Sequence, residues 1–242
     1  YHQGVLECAI EAGVTVLGSC MALNLEPLRG RPGFRVHTSV GIVESREVII
    51  ATSGYTGSLT PWLRRRVIPI GSYIIATEDL GVERASRLIP NNRNVTDSRR
   101  LVVYYRLSPD GCRLLFGGRV SLQETDTRLS ALRLHDQMTS VFPQMRDVKV
   151  THSWMGFVGW AFGQMPHLGK QNGLWYSLGY CGSGVSLSSY FGMRLGQQVL
   201  GLDEGQTALD NLPFRTRPLY YGNPWFLTPS IWWYRQLDRF GV

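Results

Sequence analysis

The chain has 242 residues, of which 43% are hydrophobic and 18% charged, a composition typical of a globular protein with a sizeable core. Its formal net charge of +7 comes almost wholly from arginine, since Lys149 and Lys170 are the only lysines. The arginines are scattered, and the one tight run, at 64–66, has no interleaved aromatic residues and no nucleic-acid motif. The charge pattern therefore argues against nucleic acid as a partner.

The spacing of the cysteines and histidines argues against a disulfide-stabilised protein and against a metal-binding protein. The four cysteines are far apart and form no CxxC pair, which predicts reduced thiols in a cytoplasmic protein rather than a disulfide framework or a zinc site. The five histidines show neither HxH nor HxxxH spacing, so no metal site is predicted. No apolar run reaches 18 residues, and the sequence therefore predicts no transmembrane helix.

The first segment, YHQG, has neither Met nor a signal peptide and leads directly into apolar residues at helical spacing over 5–12. The next segment, GVTVLGSC at 13–20, is typical of a strand. A helix followed by a strand, without a strand before it, is half of a βαβ repeat. We therefore expect a missing N-terminal segment, because the chain resembles a piece of a longer one or a product of processing.

A small meander follows, with strands predicted over 35–38 and 45–51. It ends in EVIIATSGYTG, where the apolar run 48–51 predicts a parallel strand covered on both faces. Thr52, Ser53 and Gly54 then remove bulk where the strand ends, and ligands of open α/β sheets lie just outside the carboxyl ends of strands. A cofactor can approach the backbone there, although an ordinary exit from strand to loop is the alternative.

The middle of the chain reads as an antiparallel sheet. VIPIGSYIIAT at 67–77 alternates like a strand, and the segments 101–107 and 112–116 flank SPDG, a strong turn signal that predicts a hairpin. Apolar residues at helical spacing over 127–142 predict an amphipathic helix that Pro143 ends. Further strands are predicted at 149–154 and 174–180.

A glycine-rich turn, Gly182, Ser183 and Gly184, joins the last strand to a helix predicted over 185–200. Such a turn aims free backbone N–H groups and the positive end of the helix at whatever lies above it. It is not a primary pyrophosphate site, because Leu187 replaces the third glycine of GxGxxG and no later strand carries the required acid. We expect it to face the N1 and C2 carbonyl edge of a flavin, where negative charge develops on reduction. A simple glycine-rich helix start is the alternative.

Four blocks of sequence together resemble the D-amino-acid-oxidase-like superfamily of FAD-dependent oxidoreductases, especially the branch of γ-glutamylputrescine oxidase, glycine oxidase and sarcosine oxidase. The blocks are EVIIATSGYTGSLTPWLRRRVIPIGSYIIATEDL (47–80), LLFGGR (114–119), HSWMGFVGWAFGQMPHLG (152–169) and YSLGYCGSGVSLSSYFGMRLGQQVLG (176–201). Each block is weak alone, but their combination and order are specific.

The resemblance implies a fold of α/β plus α+β type: a partial FAD-binding α/β domain with a mostly antiparallel substrate domain flanked by helices. The FAD-binding part is expected at 1–58 and 176–204, the substrate-binding domain at 59–175, and an aromatic and proline-rich tail at 205–242. The cofactor-binding residues implied are Thr52, Ser53, Gly54, Gly156, Gly182, Ser183, Gly184 and Val185. A loop at 156–165 would cover the pyrimidine edge of the flavin.

The sequence also departs from this family. Its N-terminal strand, GxGxxG turn and ribose-binding acid are absent from these 242 residues, so the pyrophosphate and adenosine half of FAD lacks its main anchor. The block 156–166 contains no cysteine to tether the flavin as in the sarcosine-oxidase branch, so FAD is expected to be noncovalent.

Three residues are candidates for the catalytic site. Arg119, in FGGR, has the planar fork that pairs with a substrate carboxylate, although a surface ion pair is an equal alternative. Tyr55 and Trp160 are aromatic candidates for the pocket wall, against the commoner role of an aromatic in a core. His167, in the covering block, is interpreted as a structural histidine. The chemistry itself demands no general base, because an amine can lose its proton to solvent before hydride leaves.

The tail from 212 contains PLYYGNPWF and IWWYRQLDRF, which predict packing across the substrate domain or a contact in a homo-oligomer. A patch that lies on a membrane surface is a minor alternative. Three functions are open from the sequence: an FAD oxidase of an amine or amino acid that uses molecular oxygen and releases hydrogen peroxide, a dehydrogenase of the same fold that passes electrons to a quinone or carrier, and a flavin-free fragment with a binding role.

Overall fold

A computed structural model of the chain describes residues 1–119, 126–210 and 212–240. Residues 120–125 of the predicted substrate domain, and 211 and 241–242 of the predicted tail, lie outside the described part. The helices are α1 His2–Glu11, α2 Pro61–Arg64, α3 Gly81–Leu88, α4 Thr127–Val141, α5 Gly184–Val199 and α6 Leu227–Phe240. The strands are β1 Ala22–Pro27, β2 Phe34–Thr38, β3 Gly41–Ser45, β4 Ile49–Ile50, β5 Val67–Thr77, β6 Val95–Thr96, β7 Val103–Leu107, β8 Leu114–Gly118, β9 Val150–Ala161, β10 His167–Gln171 and β11 Leu174–Leu178.

The centre of the molecule is a five-stranded antiparallel sheet in the order β6-β7-β8-β5-β9. Strand β5 has the predicted bounds, and the hairpin predicted around SPDG is confirmed by the pairing of β7 with β8. One face of the sheet packs against α4 and forms the larger core, in which Tyr73, Ile75 and Phe116 meet Leu134 and Met138. Side chains alternate between the two faces of a strand, so the neighbours of these residues point to the opposite face.

Two smaller sheets carry the ends of the chain. Strands β1, β2 and β3 form an antiparallel meander, and β10, β11 and β4 form a mixed sheet. Within the mixed sheet β4 pairs in parallel with β11, which confirms the predicted parallel strand. Helix α5 follows β11 directly. The predicted domain boundary at 175/176 falls inside β11, and β10 therefore shares a sheet with β4 across that boundary. The mixed α/β and antiparallel fold class is confirmed.

Two strand predictions are wrong: one predicted strand is absent and the other is shorter than predicted. The segment 13–20 forms no strand, and its residues Val14, Val16 and Leu17 are 54%, 51% and 62% exposed. It pairs with no strand of the described residues, and a lone extended segment outside a sheet has little to stabilise it. The predicted strand 45–51 shrinks to β4, and Ile49 is 47% exposed, so this strand is not covered on both faces.

Strand β9 is longer than the predicted 149–154, and it includes residues 156–161 of the segment predicted as a covering loop. The cause is tertiary: β9 pairs with β5 along almost its entire length, from Thr77 to Val67. Helix α6 was not predicted, because its two tryptophans and Tyr234 favour strands by propensity. Its last turns are fixed by Asp238, whose carboxylate accepts hydrogen bonds from the backbone N–H groups of Arg100 (2.9 Å) and Leu101 (3.1 Å).

Candidate functional site

A groove of about 470 Å³ lies where the start of α1, the turn Ser53–Tyr55, the middle of β9 and the start of α5 meet; we call it the main groove. Four of the predicted cofactor-binding residues line it: Ser53, Gly182, Gly184 and Val185. They come from two segments far apart in sequence, and the fold brings them together. Among the described lining residues none is Asp, Glu, Lys or Arg, so the groove suits an uncharged ring better than a diphosphate.

The turn Ser53–Tyr55 lies unusually close to β9, and two glycines make this possible. A Cβ atom on Gly54 would lie 2.4 Å from the carbonyl oxygen of Phe157, and one on Gly159 would lie 2.5 Å from Ser53 Oγ and 2.8 Å from Gly54 N. Ser53 itself adopts a left-handed backbone (φ 41°), which costs energy for a non-glycine residue. The wall of the groove is therefore a backbone-to-backbone contact that side chains would prevent.

The start of α5 forms the opposite wall. Cys181 (φ 52°) and Gly182 (φ 99°) make the left-handed turn that leads into the helix. Ser183 is the N-cap residue and gives no side-chain hydrogen bond, and no acidic residue occupies the first turn. The first backbone N–H groups of a helix have no partner within the helix. A Cβ on Gly182 would meet nothing within 4 Å, so there is open space beside the N–H groups at the start of α5.

A second pocket of about 370 Å³ adjoins the main groove, and Tyr180 belongs to the lining of both. The predicted residues Trp160 and Ser183 line this second pocket together with Cys181, and Trp160 forms an isolated β-bridge with Tyr180. The hydroxyl groups of Tyr180 and Ser177 lie 2.7 Å apart. Burial raises the pKa of Tyr180, so its phenol stays protonated at neutral pH.

The remaining predicted residues of the first wall lie beside the main groove rather than in its lining. Thr52 is exposed, and its hydroxyl lies 2.8 Å from that of Thr56. Tyr55 is 65% exposed, and its hydroxyl accepts a hydrogen bond from the backbone N–H of Phe157 at 3.2 Å. Gly156 precedes Phe157 on β9, and a Cβ there would lie 3.4 Å from Tyr55 Oη.

Arg119 follows β8, as predicted, but it is not among the residues that line the main groove. It is only 9% exposed, and its Nη1 donates to the carbonyl oxygen of Gly71 at 2.9 Å. Burial lowers the pKa of Arg235, and the positive charges of Arg133 and Arg119 lower it further. Arg119 therefore lies among other arginines, and its pairing with a substrate carboxylate stays a prediction.

His167 is a buried side chain, 5% exposed, whose ring stacks on Phe214 with 4.0 Å between ring centroids. Burial lowers the pKa of His167 to about 4, so the ring is neutral at pH 7. A neutral, stacked ring in a core agrees with the interpretation of a structural histidine.

Within the described ranges, no three His, Cys, Asp or Glu side chains cluster as metal ligands would. In the same ranges, no helix combines the length and the apolar character that crossing a membrane requires.

Sequence reasoning missed several lining residues of the main groove: Phe157, Val158, Gly159, Tyr180, Ser188 and Ser189. One signal was present, because a glycine inside a strand often marks close approach of another backbone, and Gly159 is such a residue. Tyr180 had no comparable signal, since an aromatic residue at the end of a buried strand is usually part of a core.

Comparison with known proteins shows the family of the chain. Residues 1–198 match the family described as FAD dependent oxidoreductase (DAO). The chain belongs to this family of FAD-dependent oxidoreductases. It is 32% identical over 242 residues to a probable oxidoreductase OrdL of Rhizobium meliloti, covering 98% of this chain and 55% of the relative. It is 34% identical over 180 residues to the gamma-glutamylputrescine oxidoreductase of Escherichia coli, covering 74% and 42%.

Among solved structures, glycine oxidase from Geobacillus kaustophilus shares the fold of this oxidoreductase chain with a TM-score of 0.66, at 18% identity, over 87% of this chain and 55% of that one. The L-proline dehydrogenase of P. horikoshii has a TM-score of 0.64 at 15% identity, over 92% and 57%. The chain thus spans about half the length of the relatives that it matches.

The residues present fit part of an FAD molecule. Three features suit an isoalloxazine ring. The described lining of the main groove has no Asp, Glu, Lys or Arg, the backbones meet closely at Gly54 and Gly159, and the first N–H groups of α5 have no partner within the helix. The described lining contains neither Lys nor Arg to pair with a diphosphate. The membership of the family implies FAD, and these residues would hold its ring end.

Proposed function

We propose that this chain forms the flavin-ring and substrate side of an enzyme that oxidises the C–N bond of an amine or amino acid with noncovalent FAD. The relatives support this reaction class, since their names refer to gamma-glutamylputrescine, glycine and iminodiacetate, which all contain an amine nitrogen. FAD held in the main groove beside Ser53, Gly182, Gly184 and Val185 would supply a two-electron oxidation. The amine would lose a hydride from the carbon beside its nitrogen and a proton from the nitrogen, which leaves an imine. Molecular oxygen would accept the two electrons and two protons and become hydrogen peroxide.

The observation that carries the proposal is the meeting of two predicted walls in one groove. Ser53 comes from one of them and Gly182, Gly184 and Val185 from the other, and the groove that they share has a volume of about 470 Å³. In this proposal the N–H groups at the start of α5 stabilise negative charge on the nearby edge of the ring. The Gly54 and Gly159 contact keeps side chains from the wall.

The other predicted residues receive roles in the same proposal. Thr52 and Gly54 support the turn beneath the ring, Gly156 leaves space beside Tyr55, and Trp160 and Ser183 line the adjoining pocket. We propose that 1–58 together with 176–204 form the FAD-binding part of the chain. In the same proposal 59–175 form the substrate-binding domain and 205–242 form the tail. Arg119 is proposed to pair with the carboxylate of the substrate. This pairing requires the arginines around it to rearrange so that Arg119 reaches the groove.

A flavin titration tests the proposal. FAD is added to the purified chain, and the visible flavin spectrum and the quenching of flavin fluorescence are followed after gel filtration. Retention of FAD, its release on denaturation, and weaker retention by Gly182→Val support the proposal. A folded chain that changes neither the flavin spectrum nor the flavin fluorescence at any FAD concentration before gel filtration refutes the proposal and leaves the flavin-free binding role.

Peroxide release separates the oxidase from the dehydrogenase. The flavin-loaded chain is supplied with an amine substrate and oxygen, and hydrogen peroxide is measured against the reduction of a quinone analogue. Peroxide at the rate of substrate loss supports the oxidase. Reduction of the quinone analogue without peroxide identifies the dehydrogenase instead.

A further inference from the structure

The segment 214–226, which leads into α6, alternates between side chains that pack and side chains that are exposed. Phe214 and Tyr220 are buried, and the Tyr220 ring contacts Phe162 and Phe226 with 5.3 and 5.7 Å between ring centroids. Every odd-numbered residue of the segment is exposed, namely Arg215, Arg217, Leu219, Tyr221, Asn223 and Trp225. The outward side of this segment therefore begins with arginines and continues with apolar and aromatic side chains.

Leu219 is held on the outside at a cost to its backbone. It adopts a left-handed conformation (φ 61°), in which a bulky side chain is uncommon, and it is 73% exposed. The indole Nε1 of Trp225 donates a hydrogen bond to the carbonyl oxygen of Leu219 at 3.3 Å and so closes the loop. This strain points to a function of the loop, because an exposed leucine side chain gains nothing from packing. We call residues 219–225 the aromatic loop.

The aromatic loop lies against the end of α2, where the arginine run 64–66 lies. A Cβ on Gly222 (φ 97°) would lie 2.4 Å from Cγ of Arg64, so the Arg64 side chain crosses the loop where only a glycine fits. Cζ of Arg65 lies over the Tyr221 ring, 4.6 Å from its centroid. These contacts fix two positive charges beside the exposed side chains of the loop.

The residues that precede the aromatic loop are anchored at the same place. Nε of Arg66 donates to the carbonyl oxygen of Phe214 at 2.8 Å, and the hydroxyl of Thr216 donates to the carbonyl oxygen of Arg65. The exposed arginines on either side of Thr216 therefore lie beside the end of α2. We call the four arginines around the loop, Arg64, Arg65, Arg215 and Arg217, the arginine collar.

The arginine collar has no carboxylate to neutralise it. The three segments of sequence that build this surface, 48–77, 148–202 and 212–237, contain neither Asp nor Glu. Among the described residues no ion pair involves a collar arginine, and the buried Nε of Arg65 has no hydrogen-bond partner. Burial lowers the pKa of Arg66, and the charge of Arg65 lowers it further. The surface therefore carries uncompensated positive charge.

Positive charge around exposed apolar and aromatic side chains fits the surface of an anionic lipid bilayer. Tryptophan and tyrosine favour the headgroup level, because one end of the ring is apolar and the other is wet. Basic side chains are attracted by the negative surface of such a bilayer, and an exposed leucine gains from contact with the acyl chains. The loop and the collar together supply all three kinds of side chain.

Two other partners fit this surface less well. In a symmetric pair of copies the same patch meets itself, so the two collars would face each other without a carboxylate between them. A nucleic acid would pair its phosphates with the arginines and stack its bases on Tyr221 and Trp225. It would leave the strained and exposed Leu219 without a role.

We propose that the aromatic loop and the arginine collar bind this chain to the surface of an anionic lipid bilayer. Leu219, Tyr221 and Trp225 enter the headgroup layer, and the collar pairs with lipid phosphates. The binding is peripheral. It does not rest on the proposed function, because no residue of the loop or the collar lines the main groove.

A vesicle flotation assay with the 242-residue chain tests this proposal. Vesicles of phosphatidylcholine alone are compared with vesicles of phosphatidylcholine and phosphatidylglycerol in equal amounts. We expect the chain to bind the anionic vesicles and not the neutral ones. Most of this binding should be lost at about 0.5 M salt, because the Debye length then falls to a few ångströms.

Leu219→Asn separates vesicle binding from stability. Asparagine tolerates the left-handed backbone better than leucine, so the melting temperature should not fall. Binding to the anionic vesicles should weaken about 10-fold, the value of burying one leucine side chain. Arg215→Gln and Arg217→Gln should each weaken it about fivefold, the value of one basic residue near an anionic surface. Tyr221→Ser gives a second reading if Leu219→Asn does not fold.

Val82→Asn and Arg87→Gln are the matched controls. Both residues are exposed on α3, which follows the opposite end of β5 from Arg66. Neither control should change vesicle binding. The proposal is overturned if the folded chain binds no anionic vesicles, if it binds both kinds of vesicle equally, or if a control weakens binding as much as Leu219→Asn.

Two further measurements identify the other partners. A dimer in solution that Leu219→Asn dissociates, seen by light scattering, overturns the proposal in favour of contact between copies. Tighter binding to a single-stranded oligonucleotide than to anionic vesicles, unchanged in Leu219→Asn, overturns it in favour of nucleic acid. An FAD titration of the same samples keeps the two proposals distinguishable, since failure to bind FAD with vesicle binding intact refutes only the flavin function.

Discussion

Replacing Gly159 by alanine tests whether the backbone contact between β9 and the turn Ser53–Tyr55 builds the main groove. The new Cβ would lie 2.5 Å from Ser53 Oγ, 2.8 Å from Gly54 N and 3.0 Å from Ser53 C. Two of these three atoms belong to the backbone and cannot rotate away. The turn must therefore move from β9, and one wall of the groove moves with it.

Overpacking of this kind costs about 1–3 kcal/mol of unfolding free energy. For a chain of this size, about 2–4 °C of melting temperature are lost for each kcal/mol. Urea unfolding followed by tryptophan fluorescence measures the free energy, and FAD retention by the same samples measures the groove. We expect Gly159→Ala to lose both stability and flavin binding.

Gly163→Ala is the control, because a Cβ there meets nothing within 4 Å and the residue has no left-handed backbone. Its stability should be unchanged or slightly raised, since alanine restricts the unfolded chain. Adding Ser53→Ala to Gly159→Ala should restore only part of the loss, because the contact of the new Cβ with Gly54 N remains. Equal stability and equal FAD retention of Gly159→Ala and Gly163→Ala would refute the reasoning.

Three further predictions concern the framework of the site. The folded pKa of His167, about 4, lies below its ordinary value of 6.5, so stability from this group is full above pH 6.5 and is lost as pH falls toward 4. His167→Phe should flatten the stability profile over that range by about 3 kcal/mol in urea unfolding. Tyr220→Phe removes a fully buried hydroxyl that donates to the carbonyl oxygen of Val67 at 2.6 Å, and should cost about 1–2 kcal/mol in the same assay. Asp126→Ala removes the side-chain cap of α4 and should cost about 1 kcal/mol, seen as a lower urea midpoint.

Each of these predictions has its own contrary result. A His167→Phe variant with the same loss of stability between pH 6.5 and 4 as the original chain would exclude this histidine as the titrating group. An unchanged Tyr220→Phe midpoint would show that Val67 finds another donor. For the cap, Asp126→Asn should keep most of the stability, and a loss as large as in Asp126→Ala would point to the charge rather than to capping.

The local signals of the sequence predicted much of the framework. Strand β5, the hairpin around SPDG and helix α4 agree with their predicted positions, because alternation, turn residues and the spacing of apolar side chains act over short distances. The segments 52–54 and 182–185 were also singled out from sequence, and Ser53, Gly182, Gly184 and Val185 line one groove. Their contact with a cofactor stays a prediction.

The prediction was wrong where the partner of a segment decides its structure. The segment 13–20 has the composition of a strand but no described neighbour, and residues 156–161 have two glycines but a neighbour along their whole length. Composition cannot distinguish these two cases. The same is true of Tyr180, whose position between the two pockets depends on β9 and α5 together.

The sequence by itself determined the family and the types of most elements, because these depend on motifs and on short-range periodicity. It also predicted the two segments that meet at the main groove. Only the tertiary structure decided which residues meet. It brought Gly54 against Gly159, placed Arg119 outside the lining of the main groove, and brought the hydroxyl of Tyr104 on β7 to Ser72 on β5. The physical reason is strand pairing, whose register brings distant residues within hydrogen-bonding distance and leaves no trace in the local sequence.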